Sequence, residues 1–314
     1  MRNRFRILST LATLFLLGTP ASVHATEGGA SVYLNGFTGF MAGVVPPPGT
    51  YVTNYVYHYS GDAGADLELP IVGSVELGAE ADVLVDAVSL IHITDKKLFG
   101  ANWGFGLLGA YGDVEVEVSA SASLGTVARK SDVSGFGDPV IVPYVFGWNE
   151  GNHNIATGLA VYIPVGKYDK SRLANVGFNH WAIEPNIAYT YFNPKNGREF
   201  SFNLIYDYNF ENPDTDYKSG QELHADYTIT QYFPFGLGIG IGGYLYQQIS
   251  DDDGAPARLD GFRGRALAIG PQLLYNYKID DTHQLTLQAK YHIEFETENR
   301  LKGESFWFNL TFIF

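Results

Sequence analysis

Ser305-Phe306-Trp307-Phe308-Asn309-Leu310-Thr311-Phe312-Ile313-Phe314 decides the fold. Phe306, Phe308, Leu310, Phe312 and Phe314 fall on one side of an extended chain, and Ser305, Trp307, Asn309 and Thr311 on the other. Period-two alternation predicts a β-strand with one apolar and one polar face. The pattern recurs upstream. Leu285, Leu287, Ala289, Tyr291, Ile293 and Phe295 alternate with Gln284, Thr286, Gln288, Lys290, His292 and Glu294. Phe200, Phe202, Leu204, Tyr206, Tyr208 and Phe210 alternate with Ser201, Asn203, Ile205, Asp207 and Asn209. A soluble sandwich would bury such faces against a second sheet. An aromatic band repeated strand after strand fits a lipid-facing belt around a polar interior, so the expected fold is all-β, a transmembrane antiparallel β-barrel.

Turn residues divide the chain into alternating short and long connections. The short ones are Asn149-Glu150-Gly151-Asn152, Asn193 to Gly197, Pro234-Phe235-Gly236, Asp280-Asp281-Thr282 and a less distinct one over 94–102. Long polar connections are expected near 60–72, 119–136, 166–179, 211–219, 251–263 and 297–303. Between them lie about 12 strands: 49–59, 73–93, 102–118, 137–148, 153–165, 180–193, 198–210, 220–233, 236–250, 264–279, 283–296 and 304–314. An even count, with short turns at one end and long loops at the other, places both termini on the periplasmic side.

Residues 1–25 read as a signal peptide. Arg2, Arg4 and Arg6 precede an apolar run from Ile7 to Leu17, Pro20 breaks it, and Val23-His24-Ala25 supplies small residues before a cleavage site. The run is too short for a spanning helix, which needs about 20 apolar residues. The net charge of −14 grows more negative once these three arginines are removed, because residues 1–25 contain no acid. Such a surface repels phosphate, which excludes nucleic acid as a partner. The absence of cysteine removes disulfides and thiolate metal sites. Charged residues make up 17%, with 21 Tyr, 21 Phe and 36 Gly. A soluble domain averages about 25% charged, so the composition leans toward a membrane wall.

Residues 26–48 combine Gly28, Gly29, Gly36, Gly39 and Gly43 with Pro46-Pro47-Pro48. They form either a lumenal plug or a periplasmic tail. Tyr33, Leu34, Phe37, Phe40 and Met41 would be exposed in a tail, which favours the lumen. Residues 49–314 are then the barrel proper. Its candidate lumen-lining residues are Glu76, Glu80, Asp82 and Asp86 of the second strand, with Glu184, Asp207, His224, Asp226, Lys290, His292 and Glu294 further on. The reasoning for the second strand is energetic, since a carboxylate facing mid-bilayer lipid costs about 3 kcal/mol. An acidic lumen would draw cations inward. The plainer alternative is a hydrated, salt-bridged interior that selects nothing. Gly236, Gly238, Gly240, Gly242 and Gly243 indicate either close approach of another object to the wall or a strongly curved strand.

Enzyme signatures are missing. There is no G-x-S-x-G elbow and no H-E-x-x-H. His153, His180 and His224 have no serine two residues on, as a barrel phospholipase arrangement would require. Asp251-Asp252-Asp253-Gly254 lacks the ligand spacing of an EF-hand and reads as a solvated loop. No catalytic, cofactor or metal residues are expected.

Short motifs scattered from Val44 to Gln248 carry a family resemblance. They are Val44-Val45-Pro46-Pro47-Pro48-Gly49-Thr50-Tyr51, Gly135-Phe136-Gly137-Asp138-Pro139, Ala160 to Gly166, Ser219 to Tyr227, and Gly242-Gly243-Tyr244-Leu245-Tyr246-Gln247-Gln248. In these the chain resembles the meta-pathway phenol-degradation family of outer-membrane proteins over most of residues 30–314. The resemblance implies an outer-membrane channel or transporter for passive uptake of small molecules, aromatic or hydrophobic ones included. It carries no set of functional residues. A structural or adhesive barrel is the alternative, and an outer-membrane enzyme a more remote one. The expected partners are outer-membrane lipid, a small-molecule substrate of unknown identity, and the barrel assembly machinery, engaged through the strand ending in Phe314.

Overall fold

A computed structural model describes residues 31–62, 76–122, 125–254, 263–280 and 283–313; the expected signal peptide and Phe314 lie outside them. The described strands are β1 (Gly49–Asp62), β2 (Glu76–Leu98), β3 (Ala101–Ala122), β4 (Gly125–Phe136), β5 (Val140–Glu150), β6 (His153–Tyr162) and β7 (Ala182–Asn193). They continue as β8 (Arg198–Asn209), β9 (Glu222–Tyr232), β10 (Leu237–Gln248), β11 (Arg265–Lys278), β12 (Gln284–Glu298) and β13 (Lys302–Ile313). All neighbours pair antiparallel. β1 closes the ring on β13, from Tyr51↔Ile313 to Asp62↔Lys302, so these two strands offer no free edge to the membrane.

The ring is a closed 12-strand barrel because β4 and β5 share one neighbour. β4 pairs with the upper half of β3, Tyr111↔Phe136 to Ala122↔Gly125, while β5 pairs with its lower half, Asn102↔Gly147 to Leu108↔Val140. Gly137-Asp138-Pro139 separates them. Pro139 has no N–H to give the ladder, so the strand breaks there and resumes. The connection expected over 119–136 is therefore mostly strand. Its polar run Arg129-Lys130-Ser131-Asp132 hides the alternation because no apolar residue marks the inner face until Val133.

Faces follow from register. On β8, Glu199, Ser201, Asn203, Ile205, Asp207 and Asn209 are buried, while Phe200 and Leu204 are exposed. On β13, Ser305, Trp307 and Asn309 point inward, and Phe306 and Phe308 outward to the lipid-facing surface. On β10, Ile239 and Ile241 are exposed. The inward space over its glycines is taken by neighbouring strands: a Cβ on Gly238 would meet Tyr232, and one on Gly242 would meet Gln272.

β2 overturns one expectation. Thr53, Tyr55 and Tyr57 of β1 face inward, and they pair with Ser89, Ala87 and Val85. Asp82 and Asp86 pair with Ser60 and Val56, and Glu80 with Asp62, on the opposite face. Glu80, Asp82 and Asp86 thus point outward, not into the lumen; the side chain of Glu76 lies outside the described residues. The physical reason is depth. Lower on the same face sit Val88, Leu90, Phe105 and Leu107, all exposed and apolar. Asp86 then pairs with Tyr111, whose ring meets Phe136 edge-on at 5.4 Å, as in the aromatic girdle at a membrane boundary. Above it come Asp82 opposite Glu115 and Glu80 opposite Glu117, with Lys130 bridging Glu115 at 2.6 Å. A ribbon beyond the hydrocarbon turns its acids to water and its valines inward.

The valines have a cover. Val83, Val85, Val114 and Val133 lie on the inner side of the ribbon, and the 163–181 connection crosses it. Val176 sits where a Cβ on Gly112 would clash, 2.9 Å away, and Arg129 donates to the Ser171 carbonyl at 2.9 Å. Asp138, buried at the β4–β5 break, accepts the Gly166 and Phe178 amides at 2.7 Å each. Two of the resembling motifs, 135–139 and 160–166, are thereby clamped together.

Candidate functional site

Residues 31–48 lie against the inward faces of the strands. Tyr33, Phe40 and Val45 are buried there, and the segment meets the wall through polar contacts along most of its length. Asp226 on β9 accepts Tyr33 Oη at 2.5 Å, the Gly36 amide at 3.1 Å, and the Thr38 amide and hydroxyl at 3.0 and 2.8 Å. Lys290 on β12 donates in the other direction, to the Gly36, Phe37 and Thr38 carbonyls at 2.5, 2.8 and 3.2 Å. Gly36 makes this turn feasible: its φ is +76°, and a Cβ would stand 2.7 Å from His292. Trp307 Nε1 donates to the Asn35 carbonyl, Glu199 accepts the Met41 amide at 2.5 Å, and Thr190 accepts the Gly43 amide at 2.9 Å. The segment ends in an apolar seal of Val45 with Ile93, Ala156 and Ala188.

The remaining expected residues occupy defined places. Glu184 is buried and accepts Tyr162 Oη at 2.6 Å. Asp207 lies 3.1 Å from His224 Nε2, and the Glu222 carboxylate is 3.6 Å from the same nitrogen. Glu294 accepts Tyr244 and Tyr59 hydroxyls at 2.8 and 3.1 Å and the Gly303 amide at 2.7 Å. His292 Nε2 accepts the Gln272 amide at 3.0 Å. Glu184, Asp207, His224, Asp226, Lys290, His292 and Glu294 therefore share the interior, while Glu80, Asp82 and Asp86 do not.

Interior residues outside the expected set include Glu199, Glu222 and Arg300. Glu199 and Glu222 stand in register with Ser201 and His224, and extending each alternation by one step would have included them. Arg300 falls within the connection expected near 297–303, yet its guanidinium lies 4.0 Å from the centre of the Tyr246 ring. Sequence alone gives no sign of that stacking. The Asp251–Gly254 loop is not a cation cage: Asp251 pairs with Arg263 at 2.7 Å, Asp252 turns inward to Tyr217 and Gly220, and Asp253 accepts the Gly254 amide. Burial raises the carboxyl of Asp252 above the usual carboxylate range.

An aromatic column borders one side of the segment. Phe37 lies 4.8 Å from Tyr55 and 5.6 Å from Trp307, and Tyr57 lies 4.4 Å from Trp307, between ring centres. Beside it is a crevice of about 160 Å³ lined by Phe37, Phe40, Tyr55, Gln288, Asn309 and Thr311, among others.

The fold is similar to that of an outer membrane channel from Pseudomonas putida F1. The two share 17% identity at a TM-score of 0.67, over 88% of this chain and 98% of the other. The beta domain of the Bordetella autotransporter BrkA matches at 11% identity and TM-score 0.47, over 85% and 100%. The CymD monoaromatic hydrocarbon channel matches at 8% and 0.36, over 85% and 88%. No curated protein sequence matches the chain. Residues 48–310, nearly the whole barrel, match the family described as "Putative MetA-pathway of phenol degradation", and the chain belongs to that family.

Proposed function

We propose that the protein is a channel of the bacterial outer membrane for passive uptake of small molecules, with aromatic and other apolar compounds as its cargo. The observation that carries this reading is the aromatic column and crevice between residues 37–42 and the wall. About 160 Å³ bounded by Phe37, Phe40 and Tyr55, with Gln288 and Asn309 at hand, suits one hydroxylated ring. For scale, an apolar cavity of about 150 Å³ holds benzene. The similarity to a solved outer-membrane channel supports the fold side of the argument.

Location belongs to the same proposal. An outward apolar belt, an aromatic boundary and an acidic ribbon beyond it suit an outer membrane, with the short turns and both termini toward the periplasm. Residues 1–25 would be removed on export, and residues 31–48 would act as a plug that slows passage. No catalysis is assigned to the chain.

Uptake by cells with and without the gene tests the reading. Cells carrying the protein should take up radiolabelled phenol or toluate faster at micromolar concentration, and purified protein should permeabilise liposomes to small solutes. Equal uptake together with impermeable liposomes would leave the adhesive or structural reading in its place.

A further inference from the structure

At the upper end of residues 31–48, four side chains from three distant parts of the chain converge. Asp207 of β8, Glu222 and His224 of β9, and Ser31 of the N-terminal segment all bring polar atoms to one point. The wall residues are 0–1% exposed, and Ser31 is buried as well. The ligand atoms of Asp207, Glu222 and His224 lie within 4.8 Å of one another.

Three features set this cluster apart from an ordinary buried ion pair. The first is the orientation of His224. Its Nδ1 is 2.7 Å from the Asn35 side-chain oxygen, so Nδ1 carries the hydrogen and Nε2 is left facing two carboxylates. A metal-bound imidazole is held in just this way, its other nitrogen donating to an oxygen that fixes the tautomer. The second is an orphan: Asp207 Oδ1 is fully buried and has no hydrogen-bond partner among the described residues, on the carboxylate whose Oδ2 meets His224 and Ser31. The third is spacing. His224 Nε2 lies 3.1 Å from Asp207, 3.6 Å from Glu222 and 3.3 Å from Ser31 Oγ, and Ser31 Oγ lies 3.4 Å from Asp207. Ligands bound tetrahedrally at about 2.0–2.1 Å sit about 3.3–3.4 Å apart, so these edges match the shell of a small divalent cation. Ser31 also contacts Glu222 directly, an edge that an inserted cation would lengthen.

We infer that Asp207, Glu222, His224 and Ser31 form a binding site for one divalent transition-metal ion of the zinc or manganese type. One imidazole and two carboxylates are the donor set such ions accept. The neighbouring wall is ready for the charge. Glu222 is steadied by Tyr246 Oη at 2.9 Å, and Glu184 and Asp226 are buried nearby. Because Ser31 comes from the N-terminal segment and the other ligands from the wall, the ion would clip that segment to β8 and β9. The site is independent of whether the barrel conducts.

The test uses the full barrel refolded into detergent with EDTA, then dialysed against Zn²⁺ or Mn²⁺ and freed of excess. One equivalent of either ion should be retained by metal analysis. Asp207→Asn and His224→Gln should each weaken retention at least tenfold, and Ser31→Ala should weaken it while leaving the wall untouched. X-ray absorption at the zinc edge of the unaltered protein should show only nitrogen and oxygen neighbours, with a single imidazole. No retained equivalent of either ion overturns the inference. So does retention that survives all three substitutions but disappears when the exposed pairs His58–Asp82 and His283–Asp280 are replaced, or a zinc shell with two or more imidazoles.

Discussion

Tyr33 donates its hydroxyl to Asp226 at 2.5 Å, joining residues 193 positions apart in the chain. Asp226 serves as acceptor for three residues of the segment at once, so its removal is the most direct way to loosen the plug. With Asp226→Ala, at least two buried donors lose their partner, at about 1–3 kcal/mol each. Liposome swelling should accelerate at least tenfold, and limited proteolysis should cut within residues 31–48 before the wall. An unchanged swelling rate with a fully protected segment would show that Asp226 holds nothing that matters to passage.

A steric change should reproduce that polar one. A Cβ on Gly43 would stand 2.5 Å from the Thr190 amide and 2.8 Å from the Asn154 carbonyl, both backbone atoms of the wall. Gly43→Val should displace the end of the segment and raise single-channel conductance, with heat-modifiable migration on gels retained. Conductance equal to that of the original protein would mean the wall yields instead.

Charge at Glu80, Asp82 and Asp86 should not govern what passes. These carboxylates point away from the lumen, on the outer face. Replacing all three with Gln or Asn should leave the reversal potential in a salt gradient unchanged within error, whereas Glu184→Gln with Asp226→Asn should reduce any cation preference. A loss of selectivity in the triple variant would contradict the register of β1 with β2.

Asp138 should control the 163–181 connection. Its two carboxylate oxygens each take one amide, from Gly166 and from Phe178. In Asp138→Ala both amides lose their acceptor, at a combined cost on the order of 3 kcal/mol. Hydrogen exchange at Gly166 and Phe178 should quicken about a hundredfold, with smaller changes in β8. Unaltered exchange would mean that Val176 and its neighbours hold the connection unaided.

Assembly provides another test. β13 completes the ring by pairing with β1, and its outward face carries Phe306 and Phe308. Deleting Phe314 should lower the yield of folded barrel in cells without reducing export, as read by the ratio of heat-modifiable to unfolded protein. Full yield after deletion would make that residue incidental.

Much of this architecture was legible because alternation is local. Phe306 and Trp307 declare opposite faces with no knowledge of their neighbours, and strand ends deduced from turn residues fall close to those observed. Orientation at β2 was not legible, because Glu80 and Val83 alternate just as they would inside a lumen. Only their height above the Tyr111–Phe136 boundary reverses the inference, and height depends on strand tilt and stagger around the whole ring. The interior cluster was half legible. His224 and Asp207 could be placed on inward faces by parity, but Ser31 sits 193 residues from His224 and bears no periodic relation to it. A search for a serine near a histidine in sequence therefore passes over the one that touches it.

The segment that lies along the inner wall also has a temporal meaning. It is the first described stretch of the chain, yet its partners Glu199, Asp226, Lys290 and Trp307 belong to β8, β9, β12 and β13. Its donors and acceptors must wait for the last strands to be delivered, and contacts of such long range form slowly. A barrel missing its final hairpin would hold a loose amino end carrying unmet polar groups and the bare rings of Tyr33 and Phe37. Completion of the wall and docking of that end become one event, so that an unfinished molecule presents itself to proteases at its own beginning.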